Sequence, residues 1–286
     1  AEIGLMRAAG ACAVATGRRW IRDSGVMHRL LSYASALDML VIAHAEDDGL
    51  TGDAIATAGE TSTRLGLAAA PAAAEAMAVA RDLILAEETG ARLHLRQVTT
   101  AAAFDLVRAA KRRGVKVTCG ITPAHLHLSD KATSGFRSFA HLSPPLRDEA
   151  DRQAALAAVR DGTIDVIASG HDPQGAEAKR LPFADSEPGM AGAETLLALS
   201  LMLVRDGLIG LDRLVALLAA NPARLLGVKA GTLAPGMAAD LVLADAEAPW
   251  RIGTETLVAR AGNTPFDGLP VQGRVLRLWK GGREIT

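Results

Sequence analysis

At 286 residues with 49% hydrophobic content, the chain is long enough to bury a large core, as one big domain or as one with a small appendage. A formal net charge of -1 supplies no basic field for nucleic acid and no polybasic anchor for a membrane, so the expected partner is a small molecule or another protein. Cys12 and Cys119 lie far apart with no CxxC or Cys/His spacing; this argues against a disulfide framework or a structural zinc site and fits a reducing cytoplasm.

No run reaches the roughly 18 apolar residues of a membrane span, and the N-terminus lacks the basic-then-apolar order of a signal peptide. The chain opens on Ala1-Glu2-Ile3-Gly4 without Met, the opening expected of the remainder of a longer protein. Residues 2 to 9 are expected to form a short helix, and 10 to 15 a strand ending at Thr16-Gly17-Arg18-Arg19. Met27, Leu30, Leu31, Ala34 and Leu37 share one face of an amphipathic helix, which leads into a strand at 39 to 44. A Gly/Thr-rich loop follows to about residue 63, then an Ala-rich helix from about 71 to 89 that Gly90 stops. The next strand spans 92 to 98. The helix after it ends in Lys111-Arg112-Arg113-Gly114, with cations at the negative end of its dipole.

A strand at 115 to 121 precedes a mixed stretch from Ala124 to Leu146, and a helix at 148 to 160 delivers the chain to Gly162–Pro173. That segment is a short β-branched run closed by Gly170-His171-Asp172-Pro173. It has the form of a buried parallel strand with a polar C-terminal end, where an α/β barrel places its chemistry. A long loop from Asp172 to Pro188 comes next, then helices at about 193 to 206 and 211 to 219 and a short one from Asn221. Five strands alternating with helices indicate a parallel sheet with helical crossovers. After Gly227 short strands separated by turns take over, so residues 1 to 226 are expected to form one region and 227 to 286 a small β-sandwich module.

Five motifs in this order carry a resemblance: His44-Ala45-Glu46-Asp47, Ser143-Pro144-Pro145-Leu146-Arg147, Pro188-Gly189-Met190-Ala191-Gly192-Ala193-Glu194-Thr195, Ala238-Ala239-Asp240-Leu241-Val242 and Asn263-Thr264-Pro265-Phe266. They resemble the amidohydrolase superfamily and, within it, the class I bacterial dihydroorotases of pyrimidine biosynthesis. The resemblance implies an α/β fold, a (β/α)8 TIM-type barrel of which this chain supplies about the last five βα units, with a small C-terminal β module. It also implies one or two zinc ions at the strand ends, where metal-bound hydroxide opens a cyclic amide.

Placed on this sequence, the family's site is incomplete. Its first-strand His-x-His lies outside the five strands. Its fourth-strand carboxylate falls at Thr16 or Gly17, and its sixth-strand His at Gln97. Its eighth-strand Asp, a ligand and proton shuttle, falls at Gly170 beside His171. His44 alone is kept. On the substrate side, Ser143 stands for the family's Asn before Pro-Pro-Leu-Arg, and Asn263 matches. No catalytic residue and no cofactor are therefore expected, zinc on His44 being the alternative.

His125-Leu126-His127 imitates a His-x-His but follows the seventh strand, where alternating loop-edge residues are commoner than ligands. Glu46 and Asp47 also fit caps of the next segment. Arg18, Arg19 and Arg96 fit plain surface cations, or guanidinium standing in for lost metal charge and pairing with Glu46, Asp47 or Asp172. Three readings follow. The first is a dihydroorotase-like pseudoenzyme that partners aspartate carbamoyltransferase, as some non-catalytic relatives do, or self-associates. The second is an active cyclic amidohydrolase with a reduced, mononuclear site. The third is a binding protein in which Arg96 and His171 hold an anion.

Overall fold

In a computed structural model, which describes residues 2–285, the chain divides into two compact units. The first holds the residues up to Ser134 together with Ser143–Asp165, and the second holds Gly135–Leu142 and the residues from Val166 onward.

In the first unit β1 (Ala13–Ala15), β2 (Leu40–Ala43), β5 (Arg92–Leu95) and β6 (Val117–Ile121) run parallel in the order β1-β2-β5-β6. Leu40 is in register with Arg92, and Leu93 with Val117. The helices between them start and stop where local chemistry dictates. Asp23 caps Ser24–Ala36 through Val26 N at 2.8 Å, and Asp148 caps Glu149–Arg160 through Asp151 N, each satisfying an amide that the first turn leaves open. Ala73–Thr89 ends at Gly90, whose φ of 65° is the left-handed position that glycine takes without strain. Val41, Leu93, Leu95 and Cys119, all fully buried or nearly so, form the core beneath these helices. Burial pushes the Cys119 thiol up to about 12, so it behaves as a small apolar filler.

The region expected as a loop up to residue 63 is more ordered than its composition implies. It contains a turn of helix at Asp48–Thr51, the start of the helix Glu60–Leu65 and β3 (Ala56–Thr57), which pairs in parallel with β4 (Ala69–Ala70) just beyond it. Ser62 Oγ accepts from Gly59 N at 3.0 Å, a local bond that begins the helix without any apolar periodicity to announce it. Along the same lines, Pro123–His127 forms a short helix with proline in its first turn.

Buried charge ties the segment after β1 to the helix Ala73–Thr89. Arg81 Nη1 donates to Ile21 O, and its guanidinium lies 3.9 Å from the centre of the Trp20 ring. Asp82, fully buried, accepts from Arg81 Nε at 2.9 Å and Nη2 at 2.6 Å. Burial outweighs the arginine and raises the Asp82 carboxyl to about 6. The folded protein therefore binds this proton more tightly than the unfolded chain. The stability contributed is full below the ordinary value of 3.8 and is lost as pH rises through about 6. Asp82→Asn is expected to raise stability at pH 8 by on the order of 1–3 kcal/mol and to change it little near pH 4. Urea melts at the two pH values check this, and a loss at pH 8 would mean that the Arg81 pair outweighs the burial cost.

In the second unit β7 (Val166–Ile167) is shorter than the strand expected there. The helices Leu196–Arg205 and Leu211–Val215 follow, the latter continuing through a π turn at Ala216–Ala220 into Asn221–Leu226. β8 (Leu241–Arg251), β9 (Pro270–Lys280) and β10 (Arg283–Ile285) form an antiparallel sheet in the order β10-β9-β8, with β8 and β9 drifting in register at two places. Among the described residues no helix is long and apolar enough to cross a membrane.

Candidate functional site

The strand ends of the first unit bring together several of the residues singled out in the sequence. Thr16 follows β1, and its hydroxyl, at one of the two positions where the resemblance expects a carboxylate, accepts from His44 N at 3.1 Å. Gly17 has φ 71° and open space where a side chain would project. His44 is buried at the end of β2, with Nε2 3.4 Å from Glu46 Oε2 and Nδ1 without a partner among the described residues. Gln97 is buried after β5, and its Oε1 also lacks a partner among the described residues.

Glu46 does not cap the next segment; Asp47 does, accepting from Gly49 N at 2.9 Å and Leu50 N at 3.1 Å. Nor does Glu46 pair with Arg18, Arg19 or Arg96. Its partner is Arg147, whose Nη2 lies 3.0 Å from Glu46 Oε1 and 3.3 Å from Glu75 Oε2. The other two nitrogens of that guanidinium donate to Thr99 Oγ1 at 2.9 Å and Thr57 Oγ1 at 3.0 Å. Glu75 accepts in turn from Thr99 N, Thr100 N and Thr100 Oγ1. Burial works against the Glu46 carboxylate, yet His44 and Arg147 together hold it below its usual range. This network locks the loops after β2 and β5 to each other.

His125 has a structural place. His125 Nε2 faces Pro144 O at 3.1 Å, so it carries the proton, and Nδ1 accepts from Thr122 Oγ1 at 2.8 Å. Burial pushes His125 down to about 4, which keeps it neutral with both nitrogens engaged. Ser143 is half-buried at the edge of this segment.

In the second unit Gly170 has φ 62°. His171, exposed, accepts on Nδ1 from Gly192 N and Ala193 N, both at 3.2 Å, so Nε2 holds the proton of the neutral ring. The glycine-rich motif has a steric cause. A Cβ on Gly189 would stand 2.5 Å from Asp172 O, and one on Gly192 would stand 2.2 Å from Ser169 O. Asn263 is buried, its Nδ2 donating to Gly189 O at 3.0 Å and its Oδ1 accepting from Gln174 N at 3.1 Å; its amide thus holds the loop 172–191 in place.

The sequence matches the Amidohydrolase family over residues 10–285. This chain belongs to that family. It is 41% identical over 285 residues to a dihydroorotase of Syntrophus aciditrophicus, covering 100% of this chain and 67% of that protein. It is 42% identical over 274 residues to a dihydroorotase-like protein of Pseudomonas aeruginosa, covering 96% and 64%. The solved L-hydantoinase (dihydropyrimidinase) of Arthrobacter aurescens superposes with a TM-score of 0.89 at 24% identity, over 100% of this chain and 67% of that one. The fold is thus that of the amidohydrolase barrel with its small C-terminal antiparallel sheet, and the chain is a dihydroorotase-like amidohydrolase spanning about two thirds of its relatives' length.

The zinc that this family's chemistry calls for does not fit the donors found here. Zinc is held by imidazole, thiolate and carboxylate. Among the described residues no group of three or more His, Cys, Asp or Glu is placed to hold a metal ion. At the positions where the resemblance expects ligands, His44 is the one imidazole, and Gln97, Gly170, Thr16 and Gly17 offer an amide, nothing, a hydroxyl and nothing.

The Arg147 network was legible only in part. Glu46 and Arg147 stand in family-like motifs, but Glu75 lies in the Ala-rich first turns of its helix, outside any motif, and gives no signal until folding sets it beside Thr99 and Thr100.

Proposed function

We propose that this amidohydrolase is a non-catalytic dihydroorotase-like protein, kept for its fold, that assembles with aspartate carbamoyltransferase. The observation that carries the reading is the donor set. Of the ligand positions that the resemblance assigns to this chain, only His44 retains a metal-binding side chain, and its Nε2 already faces Glu46 at 3.4 Å. At the eighth-strand position Gly170 provides no carboxylate to carry a proton, while the surrounding glycine-rich turn is intact. The framework is kept and the chemistry is not. That pattern suits a structural role, and the partner comes from the resemblance. The reduced-site alternative, zinc on His44, draws on the unpartnered Nδ1 alone.

Co-expression with the aspartate carbamoyltransferase of the same organism tests the reading. The expected result is co-elution on size exclusion, with the carbamoyltransferase losing assembly or activity when this protein is withheld. A carbamoyltransferase that assembles and works fully alone would contradict it.

A further inference from the structure

In the second unit a cavity of about 360 Å³ opens between the end of the helix Leu196–Arg205 and the strands β8 and β9. Where helix and sheet touch, the fit is close. A Cβ on Gly273 would stand 2.6 Å from Leu201 Cδ1, so the helix rests directly on β9 at that point. Two residues earlier on β9, Val271 is in register with Trp250 of β8, and residues so paired stand side by side on one face of the sheet. Between that pair and the last turn of the helix the space is open. Its floor is Val271, which is buried, with Trp250 and Met202, both half-buried. Trp250 is held in place by its Nε1, which donates to Gly273 O at 2.9 Å. A cavity of this size with an apolar floor suits a small molecule.

The rim carries the charge. Arg205 and Asp206, the last residue of the helix and its C-cap, line the same cavity and are both exposed. Arg205 Nη2 donates to Ala246 O, in the stretch where four steps along β8, Asp245 to Pro249, are set against two along β9. The other two nitrogens of that guanidinium have no acceptor among the described residues. The Asp206 carboxylate likewise has no hydrogen bond or ion pair among them, so the two neighbours do not pair with each other. A carboxylate at the C-terminus of a helix stands against the negative end of its dipole, where a cation is favoured. Asp206 lacks the cation that its position calls for.

We propose that this cavity binds a zwitterionic amino acid with a large apolar side chain. The ligand's carboxylate pairs with the Arg205 guanidinium, its ammonium with the Asp206 carboxylate, and its side chain lies on Trp250, Val271 and Met202. A simple carboxylate drawn to Arg205 meets the like charge of Asp206, and a simple amine drawn to Asp206 meets that of Arg205. A ligand with both signs a few ångströms apart satisfies both. The indole and thioether of the floor favour an aromatic side chain above other apolar ones. This site lies wholly in the second unit and is independent of the donor set around His44.

Titration of the full chain with L-phenylalanine, followed by tryptophan fluorescence, tests it, with phenylacetate and phenethylamine as probes that each lack one charge. The expected result is a saturable change with L-phenylalanine at millimolar concentration and weaker binding of the other two. Trp250→Phe should lose the signal and Trp279→Phe should keep it. Arg205→Gln and Asp206→Asn, both at exposed positions, should each weaken L-phenylalanine by about threefold or more. Arg160→Gln, an exposed cation on the helix Glu149–Arg160, should leave binding as it is. The proposal is overturned by a wild type that gives no saturable change, by phenylacetate or phenethylamine binding as tightly as L-phenylalanine, or by a signal that survives Trp250→Phe. Wild-type affinity in either Arg205→Gln or Asp206→Asn would overturn it as well.

Discussion

Replacing Arg147 with methionine is expected to cost about 3–5 kcal/mol of folding stability, the range found when one partner of a buried ion pair is removed. The side chain is 3% exposed, and its carboxylate partners are 10% exposed at Glu46 and 0% at Glu75, so water cannot replace the lost guanidinium. Two negative charges would remain buried close together. Thr57 and Thr99 would each lose a donor, though both hydroxyls keep an acceptor in Leu146 O and Glu75. The pH dependence has a definite sign. In the wild type Glu46 is held below its ordinary 4.5, so its contribution is present above that value and is lost as pH falls through the lower folded value. The deficit of Arg147→Met should therefore be largest at neutral pH and shrink in acid, where the stranded Glu46 carboxylate is protonated. Urea melts at pH 7 and pH 4 check both size and trend, and a deficit under 1 kcal/mol at pH 7 would show that the network adds little beyond its packing.

The second large effect is expected in catalysis. Hydrolysis or closure of a dihydroorotate ring near neutral pH needs a hydroxide that a bound metal makes available by lowering the pKa of water to about 7. It also needs a group to move the proton. A positioned acid or base contributes roughly 10²–10⁴-fold, and only where a nucleophile is present for it to act on. Gly170→Asp should therefore leave turnover at background. The backbone there, at φ 62°, is a left-handed conformation that aspartate tolerates better than most side chains, and a Tm and circular dichroism spectrum matching wild type would show that the loop had kept its fold. Rebuilding Gln97→His in the same protein should raise zinc affinity measurably before it raises turnover, because ligand number decides whether the metal stays.

Much of the fold could be read in the sequence because its signals are periodic and local. The runs around Leu40–Ala43, Arg92–Leu95 and Val117–Ile121, and the stops at Gly90 and after Lys111-Arg112, are each set by a few neighbouring residues. The small elements between 45 and 70 were hidden because helix Glu60–Leu65 starts from a serine-to-glycine backbone bond rather than from an apolar stripe. At the strand ends, motif order drew attention to His44 and Gln97, which the structure buries after β2 and β5. What motif order could not supply was pairing. Glu46 finds Arg147 about a hundred positions away, and Asn263 spends its amide on the loop 172–191. Such pairings depend on which strand ends folding brings together, and no window of neighbouring residues contains that information.

If this amidohydrolase fold no longer performs its family's hydrolysis, as proposed, steady-state turnover of dihydroorotate by the protein will show it. Protein purified without chelator should be assayed in both directions with zinc added, beside His44→Ala. The expected result is background turnover in both proteins, with His44→Ala indistinguishable from wild type. Zinc-dependent turnover in the wild type that His44→Ala abolishes would contradict the claim and establish a working enzyme with a reduced metal site.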